Sequence, residues 1–181
     1  QEVNRASDMH AALASITDSL TRDLSADACT IFLARKDQPD TLVLQACSGL
    51  NPDIIGKVRR KLGEGLIGTI AARAEAMNLV DAPQHPKFML VPDSRETDFP
   101  IYLGVPIIAH RDVLGVIAVQ RGSEAFNEDE EAFLTTLAAQ LATSIERAEN
   151  QGAFTSERAS HRIRGVAGAP GMAIGIGLVL N

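Results

Sequence analysis

A glycine-rich stretch is the first place in this sequence where residue spacing suggests chemistry. Gly63-x-Gly65-x-x-Gly68 matches the spacing with which backbone N–H groups hold the pyrophosphate of a dinucleotide. That function also needs a preceding strand and a parallel βαβ unit, but residues 57–62 are basic and no such unit follows. We therefore expect the glycines to form a tight turn into the next helix, whose first N–H groups could receive a ligand carboxylate.

The two cysteines are weaker candidates for chemistry. Cys29 and Cys47 both lie inside apolar segments that are typical of strands, which predicts buried free thiols. Neither belongs to a closely spaced Cys/His cluster, so no zinc site is predicted. Thiol catalysis requires cysteines that can reach each other, and two strand positions do not favour it.

Thr30 is the one hydroxyl inside the first predicted strand. Side chains alternate between the two faces of a strand, so Thr30 shares a face with Phe32, while Cys29 and Ile31 lie on the other.

The other polar candidates lie on turns and loops. Asp81 ends a short apolar segment, where its side chain could cap a turn. His85 lies on a proline-flanked loop and could hydrogen-bond the backbone or cover a pocket. Arg95, Glu96 and Thr97 could bind the carboxylate and ammonium of an amino acid, or simply form a solvated charged cluster.

Composition excludes some classes of partner. The formal net charge of -6 disfavours non-specific nucleic-acid binding, because phosphates attract basic surfaces. No apolar run approaches the roughly 20 residues of a membrane helix, and the polar start is not a signal peptide. We therefore expect a cytoplasmic protein without a membrane or nucleic-acid partner. Because Gln1 is not an initiator, we also expect a trimmed start.

Hydrophobic periodicity predicts the elements that position these residues. Asn127 with Glu130 predicts a capping box at the last helix, and Ser7 or Asp8 could cap the first. The predicted elements are helices over residues 8–24, 53–60, 66–74 and 128–149, strands over 28–34, 41–48, 77–80, 101–109 and 113–120, and a long loop over 82–100.

Strands and helices do not alternate in βαβ fashion, which indicates an α+β fold with one antiparallel sheet. We expect the terminal helices on one face of that sheet. The small helices and the long loop would then cover the other face and leave a ligand cavity beneath them.

Four segments, in this order, resemble a GAF domain over Asp8 to Glu149. The resemblance implies a GAF/PAS-like fold in which the face of Thr30 looks toward the ligand and the region of Asp81 borders the pocket. The segments are Thr30–Leu33, Gly63–Gly68, Asn78–Ala82, and Leu103–Ile107 followed by Val113–Val116.

The C-terminal segment from Ile163 to Gly175 resembles the opening strand of the phosphohistidine domain of enzyme I proteins. A GAF domain followed by that strand resembles the nitrogen-type enzyme I of the bacterial phosphotransferase system, a phosphoenolpyruvate-protein phosphotransferase. The resemblance divides the chain into a GAF domain (1–150), a linker (151–164) and the first strand of a phosphohistidine domain (165–181).

The resemblance implies that the parent enzyme moves phosphate from phosphoenolpyruvate to a histidine, with Mg²⁺, and on to an HPr-like carrier protein. None of the four histidines here matches that active histidine, so we expect no catalytic residue and no cofactor in these residues. The GAF domain would sense nitrogen status, with glutamine as effector, 2-oxoglutarate as counter-signal, and a homodimer formed through the terminal helices.

Residues and resemblance together give one set of candidate ligand-binding positions. Two alternatives stay open: the GAF domain of a nitrogen-responsive transcriptional activator, which should continue into a Walker motif that is not found here, and a stand-alone GAF-fold methionine sulfoxide reductase. The candidate positions are Thr30, Leu66, Ile67, Asp81, His85, Phe88, Arg95, Glu96 and Thr97.

Overall fold

The computed structural model describes residues 2–90 and 98–151. Short 3-10 turns lie at Pro52–Ile54 and Ala82–Gln84. In chain order the helices and strands are α1 (Glu2–Asp23), β1 (Ala28–Ala34), β2 (Thr41–Ser48), β3 (Arg59–Lys61), α2 (Gly65–Arg73), β4 (Met77–Leu79), β5 (Ile101–Ala109), β6 (Asp112–Arg121) and α3 (residues 128–151).

Within these residues the strands form one six-stranded sheet in the order β3-β2-β1-β6-β5-β4. Every neighbouring pair is antiparallel. The central pair, β1 with β6, runs from Ala28 opposite Gln120 to Leu33 opposite Gly115. It joins the β1–β2 hairpin to the β5–β6 hairpin. The predicted α+β fold with a single antiparallel sheet is confirmed.

The two faces of the sheet are covered by different helices. On one face Ile31, Val105 and Ile117 are fully buried, as are Leu20 of α1 and Leu134 of α3. The predicted placement of both terminal helices on this face is confirmed. The small-residue helix α2 packs on the opposite face, against β5 and β6, and this is the face that matters for a ligand.

The predicted short basic helix over residues 53–60 is wrong. Only Pro52–Ile54 makes a helical turn, and Arg59–Lys61 forms β3 instead. β3 pairs with Thr41–Val43 at the edge of the sheet. Three residues are too few to show a side-chain period, and backbone pairing with β2 decides their conformation.

The ends of three other elements test the predicted caps and turns. Asn127 and Glu130 form the predicted capping box: the Glu130 N–H donates to the Asn127 side chain (2.9 Å), and the Asn127 N–H donates to the Glu130 carboxylate (3.1 Å). The cap predicted at Ser7 or Asp8 is wrong, since both lie inside α1. The β5–β6 turn places His110 and Arg111 at positive φ, as type I′ hairpins require.

Arg121, at the end of β6, holds the two terminal helices together on the helix-covered face. Its side chain is 8% exposed, and its guanidinium donates to the Leu24 carbonyl just after α1 (2.7 Å). It also donates two bonds to the Glu130 carboxylate in the first turn of α3 (2.8 and 3.0 Å). The Glu124 and Ala125 carbonyls accept the remaining bonds, and Phe126 stacks 4.0 Å from the guanidinium carbon.

The Arg121 guanidinium lowers the pKa of Glu130 below its ordinary value, because it hydrogen-bonds the ionised carboxylate directly. Partial burial of Glu130 acts in the opposite direction and is the weaker effect. The pair is therefore a bidentate, largely buried ion pair with its hydrogen bonds satisfied, the arrangement in which such pairs hold best.

The chain divides after Thr143 into two units, and of the second only residues 144–151, all helical, are described. The predicted linker lies outside the described residues except for residue 151, and the predicted strand over 165–181 lies wholly outside them. Among the described helices, none combines the length and the apolar character that a membrane crossing requires.

Candidate functional site

A pocket lies between the sheet and α2. It holds about 400 Å³ of space free of protein atoms, part of it open to solvent. Its enclosed part has room for only about two waters, so a larger ligand requires side chains to shift. Its lining residues are Thr30, Phe32, Arg60, Leu66, Ile67, Phe88, Met89, Tyr102 and Gln120.

The sheet supplies three polar side chains to this pocket. Tyr102 on β5 lies directly opposite Gln120 on β6, and Thr30 on β1 lies opposite Ala118. Alternation along the strands puts all three on the α2 side of the sheet. Thr30 is 6% exposed, Tyr102 4% and Gln120 3%. They form a buried polar strip across the centre of the sheet.

Two of these polar groups are available to a ligand. Within residues 2–90 and 98–151, neither the Thr30 hydroxyl nor the Gln120 side-chain amide has a protein hydrogen-bond partner. Buried polar side chains are nearly always paired, because an unmade bond costs free energy in a place that water does not fully solvate. A buried amide and hydroxyl that face a pocket are therefore groups to which a ligand can bond.

Tyr102 keeps its place because Gly104 has no side chain. A Cβ built on Gly104 would lie 2.9 Å from the Tyr102 hydroxyl oxygen and 2.4 Å from the end of Ile70. The ring of Tyr102 therefore lies across the strand at Gly104 and under α2.

Arg60 is the charged residue among those that line the pocket. It lies on β3 opposite Leu42, is half-buried, and packs beside the first residue of α2, since a Cβ built on Gly65 would lie 3.3 Å from Arg60 Nε. Its guanidinium donates to the Arg59 carbonyl (2.9 Å). No carboxylate of the described residues pairs with it.

The structure explains the glycine pattern without a nucleotide. Gly63 and Gly65 have φ of 82° and 67°, which L side chains rarely adopt. Gly68 sits against the Lys61 carbonyl, which a Cβ would meet at 2.1 Å. With an antiparallel sheet and no parallel βαβ unit in the described residues, the pattern makes a turn and a close packing contact, as the sequence predicted.

The first turn of α2 borders the pocket through Leu66 and Ile67. The side chain of Glu64 does not cap the helix: its carboxylate accepts from the Lys61 N–H instead (2.8 Å). The first helical bond runs from Gly68 N–H to the Glu64 carbonyl (3.0 Å). Among the described residues nothing caps the N–H groups of Leu66 and Ile67, so the positive end of the helix dipole is open.

Of the candidate positions from the sequence, Thr30, Leu66, Ile67 and Phe88 line the pocket together. Asp81 and His85 do not line it. Asp81 is exposed and precedes the Ala82–Gln84 turn. His85 Nδ1 accepts a hydrogen bond from the Lys87 backbone (3.1 Å), a local loop contact. Arg95, Glu96 and Thr97 lie outside the described residues.

Sequence reasoning missed Arg60, Tyr102 and Gln120. Arg60 lies in the basic segment that was predicted as a short helix over residues 53–60. Tyr102 and Gln120 stood near strand ends, and only the pairing of β5 with β6 brings them together. The available signal was alternation: both residues fall on the same face as Gly104 and Ala118.

The cysteines lie on opposite faces of the sheet, since Thr30 rather than Cys29 is the partner of Cys47. Burial raises the pKa of both thiols, more strongly for the fully buried Cys29. Both are free, and both resist forming a thiolate. Within the described residues, no group of three or more His, Cys, Asp or Glu side chains could hold a metal ion.

Comparison with known proteins places this fold in a family. The GAF domain model matches residues 8–145. A protein of Salmonella typhimurium described as "Phosphoenolpyruvate-dependent phosphotransferase system" is 35% identical over 178 residues, which cover 98% of this chain. The matched region is 24% of the relative, so the chain spans about a quarter of that protein's length.

Two solved GAF domain structures support the same family. The GAF domain of a phosphoenolpyruvate-protein phosphotransferase from Coxiella burnetii is 42% identical, with a TM-score of 0.74 over 80% of this chain and 86% of that one. The corresponding Acinetobacter domain is 34% identical, with a TM-score of 0.70 over 80% of this chain and 85% of that one.

A free methionine-R-sulfoxide reductase of Thermoplasma acidophilum shares the fold alone, at 20% identity and a TM-score of 0.64 over 77% of this chain and 93% of that one.

The fold, the match to the GAF domain model and the likeness to the two phosphotransferase domains support the same family assignment. The chain belongs to the GAF domain family, in the group whose members come from phosphoenolpyruvate-protein phosphotransferases.

Proposed function

We propose that this domain is the regulatory, metabolite-sensing part of a phosphotransferase that acts in nitrogen signalling. The observation that carries the proposal is the pocket between the sheet and α2, which is lined by the buried amide of Gln120 and hydroxyl of Thr30, neither of them paired within the described part of the chain. A pocket with apolar walls and a few unpaired polar groups is the usual form of a small-molecule site.

The parent enzyme of such a domain would carry phosphate from phosphoenolpyruvate to a histidine and then to an HPr-like phosphocarrier. The match to the Salmonella relative over 98% of the chain supports this assignment, because it runs past the GAF domain. The Mg²⁺ and phosphoenolpyruvate sites would belong to other domains of the parent. Ligand binding here would change its activity by favouring one arrangement of the domain, a coupling of typically 1–3 kcal/mol.

Glutamine is the effector that we propose for the pocket, with 2-oxoglutarate as the counter-signal. A carboxamide is both donor and acceptor, and so is the side chain of Gln120, so the two can form paired hydrogen bonds. The pocket needs side chains to shift for a ligand of this size. Met89 is exposed and unbranched, and it is the lining residue with most freedom to move.

Calorimetric titration of the chain with glutamine tests this function. We expect saturable binding that Gln120→Leu weakens by about tenfold or more, because a lost hydrogen bond at a buried site is worth about 1–3 kcal/mol. Gln45→Leu is the matched control, since Gln45 on β2 bonds His10 and does not line the pocket. No heat and no thermal shift at millimolar glutamine would remove glutamine as the effector.

The structure supports neither of the two alternative functions, the methionine sulfoxide reductase and the transcriptional activator. A reductase of the sulfoxide type requires cysteines that can reach each other, and Cys29 and Cys47 lie on opposite faces of the sheet. A transcriptional activator would not explain the match to a phosphotransferase protein over nearly the whole chain.

A homodimer through the terminal helices is part of the proposal. On α3, the large apolar side chain of Phe133 is 44% exposed. Sedimentation velocity of the chain and of Phe133→Ser checks this. We expect a concentration-dependent dimer that the substitution weakens, and a wild-type chain that stays monomeric at every concentration would contradict it.

A further inference from the structure

We propose that the pocket has a defined polarity: Arg60 and the first turn of α2 form a carboxylate-binding end, and Gln120 with Thr30 forms a neutral hydrogen-bonding end. The ligand class is then a small monocarboxylate whose other end is an uncharged donor and acceptor. This inference rests on the proposed function, because it assumes that the pocket takes a ligand, but it does not depend on glutamine.

The carboxylate-binding end is inferred from Arg60, a cation that no carboxylate of the described residues pairs with. Arg60 lines the pocket half-buried, and its guanidinium bonds only the neutral Arg59 carbonyl among the described residues. Guanidinium binds carboxylates through two parallel hydrogen bonds and is the usual residue for that task. The contrast with Arg121, whose bonds are filled by Glu130 and three carbonyls, shows that this chain can satisfy a guanidinium when the role is structural.

The start of α2 adds to the same end. Arg60 Nε lies against Gly65, so the guanidinium and the uncapped N–H groups of Leu66 and Ile67 are neighbours on the pocket wall. A helix N-terminus favours an anion through its dipole and its free N–H groups. A second, independent observation points to a ligand here. The side-chain amide of Gln120, a residue that is 3% exposed, lines the same pocket without a hydrogen-bond partner among the described residues.

The neutral end follows from what surrounds Gln120. Tyr102 lies directly opposite it on β5, and Thr30 lies two residues from Ala28, its partner on β1. Neither of these described side chains carries a charge. A charged group placed against them would be desolvated without a counter-ion, which is strongly unfavourable. An amide or hydroxyl can instead both donate to and accept from Gln120. The two ends therefore recognise different chemistry and orient the ligand.

Two pairs of probes test the two ends by calorimetry on the full chain. Glutaramate carries a carboxylate at one end of a five-carbon chain and a carboxamide at the other. Glutaramide replaces its carboxylate by a second carboxamide, and pentanoate replaces its carboxamide by a methyl group. We expect glutaramate to bind about tenfold or more tightly than either, as expected for one charge-assisted or one buried hydrogen-bonding group.

Substitutions assign each preference to its residues. Arg60→Gln should weaken glutaramate binding about tenfold and remove its advantage over glutaramide, while its advantage over pentanoate remains. Gln120→Leu should also weaken glutaramate binding about tenfold, but it should remove the advantage over pentanoate and leave the advantage over glutaramide. Arg59→Gln is the matched control: it removes the same charge from the adjacent, exposed residue of β3 and should change each affinity by less than about twofold.

Thermal unfolding of each variant without ligand checks that it is folded. The inference is overturned if Arg60→Gln binds glutaramate as tightly as the wild type, or if glutaramide binds the wild type as well as glutaramate does. It is also overturned if glutamine binds but none of the three probes does, and in that case the proposed function stands. If neither glutamine nor any probe binds, both fall together.

Discussion

Two arginines on one sheet show how the same side chain serves two different purposes. Arg121 lies at the end of β6 on the helix-covered face, where Glu130, Leu24 and two further carbonyls accept its hydrogen bonds. Arg60 lies on β3 at the pocket, with one carbonyl as its hydrogen-bond acceptor in the described part of the chain. The Arg121 guanidinium stabilises the fold. The Arg60 guanidinium keeps donor groups that the described residues do not bond and that a ligand can use.

The same contrast extends to the faces around them. The helix-covered face has apolar residues and a satisfied ion pair, so it contributes stability. The pocket face contains Thr30 and Gln120, buried polar groups whose bonds the described protein does not complete. Proteins accept such a cost at functional sites, where local rules of stability are broken for binding. The contrast predicts how strongly substitutions on each face change the free energy of unfolding.

The largest effect is expected at Arg121. Arg121→Met should lower the free energy of unfolding by about 3–5 kcal/mol, because it removes a buried guanidinium and leaves the partly buried carboxylate of Glu130 and three backbone carbonyls without their donor. Urea unfolding followed by circular dichroism measures this. Arg35→Met is the control, since Arg35 forms an exposed ion pair with Asp37 and should matter little. If both variants lost equal stability, Arg121 would not hold the helices together.

On the pocket side, the turn that leads into α2 is the part least tolerant of change. Gly68→Ala should cost about 1–3 kcal/mol, because its Cβ would meet the Lys61 carbonyl at 2.1 Å and the turn must shift. Gly122→Ala is the matched control: its nearest neighbour atom lies 3.5 Å away, an ordinary contact, so a change within about 0.5 kcal/mol is expected. A Gly68→Ala protein as stable as Gly122→Ala would contradict the close contact.

The ion pair on the helix-covered face should show a pH dependence of known sign. The pKa of Glu130 is lowered in the folded protein, so its contribution is present above the unfolded-state pKa of a glutamate, about 4.3. It is lost as pH falls through the lower folded-state pKa. Glu130→Gln should therefore destabilise by about 1 kcal/mol at pH 7, and by progressively less below pH of about 4.

Urea titrations at several pH values measure this difference. Glu128→Gln, an exposed change in the same helical turn, is the control and should show no such trend. A gap between wild type and Glu130→Gln that stayed constant down to the acid limit would mean that the Arg121 pair does not set the pKa of Glu130.

The smallest effects are expected at the pocket. Gln120→Leu should leave the free energy of unfolding within about 0.5 kcal/mol of the wild type, because an unpaired amide is replaced by an apolar group of similar shape. Arg60→Gln should also stay within that range. Thermal and urea unfolding without ligand measure both. A large loss in either variant would mean that these side chains hold the fold and are not reserved for a ligand.

The sequence predicted much of the fold because strands and long helices leave periodic signals. β1 and β2 were predicted with the bounds the structure has, and Asn127 with Glu130 marked the start of α3. β3 was missed because its three basic residues have no period, and its conformation comes from pairing with β2. α1 extends to Glu2 without a cap signal that sequence alone could show.

The candidate site was predictable only where one segment carried the signal. Thr30 stood out as a hydroxyl in an apolar strand, and Leu66 with Ile67 followed the glycine turn. Gln120 and Tyr102 become a pair only through the register of β5 and β6, which no local pattern specifies. Arg60 was predicted to lie in a short basic helix because its neighbours in sequence are basic, while in space it packs beside Gly65 at the start of α2.

Gln120 and Arg121 are consecutive residues of one strand that serve opposite sides of the sheet. A deletion or insertion of one residue in β6 would exchange them, placing a guanidinium under α2 and an amide among the helix ends. Such a change would remove Gln120 from the pocket and Arg121 from its bonds to Leu24 and Glu130 at the same time. We therefore expect related domains to keep the residue count from Gly115 to Arg121 unchanged.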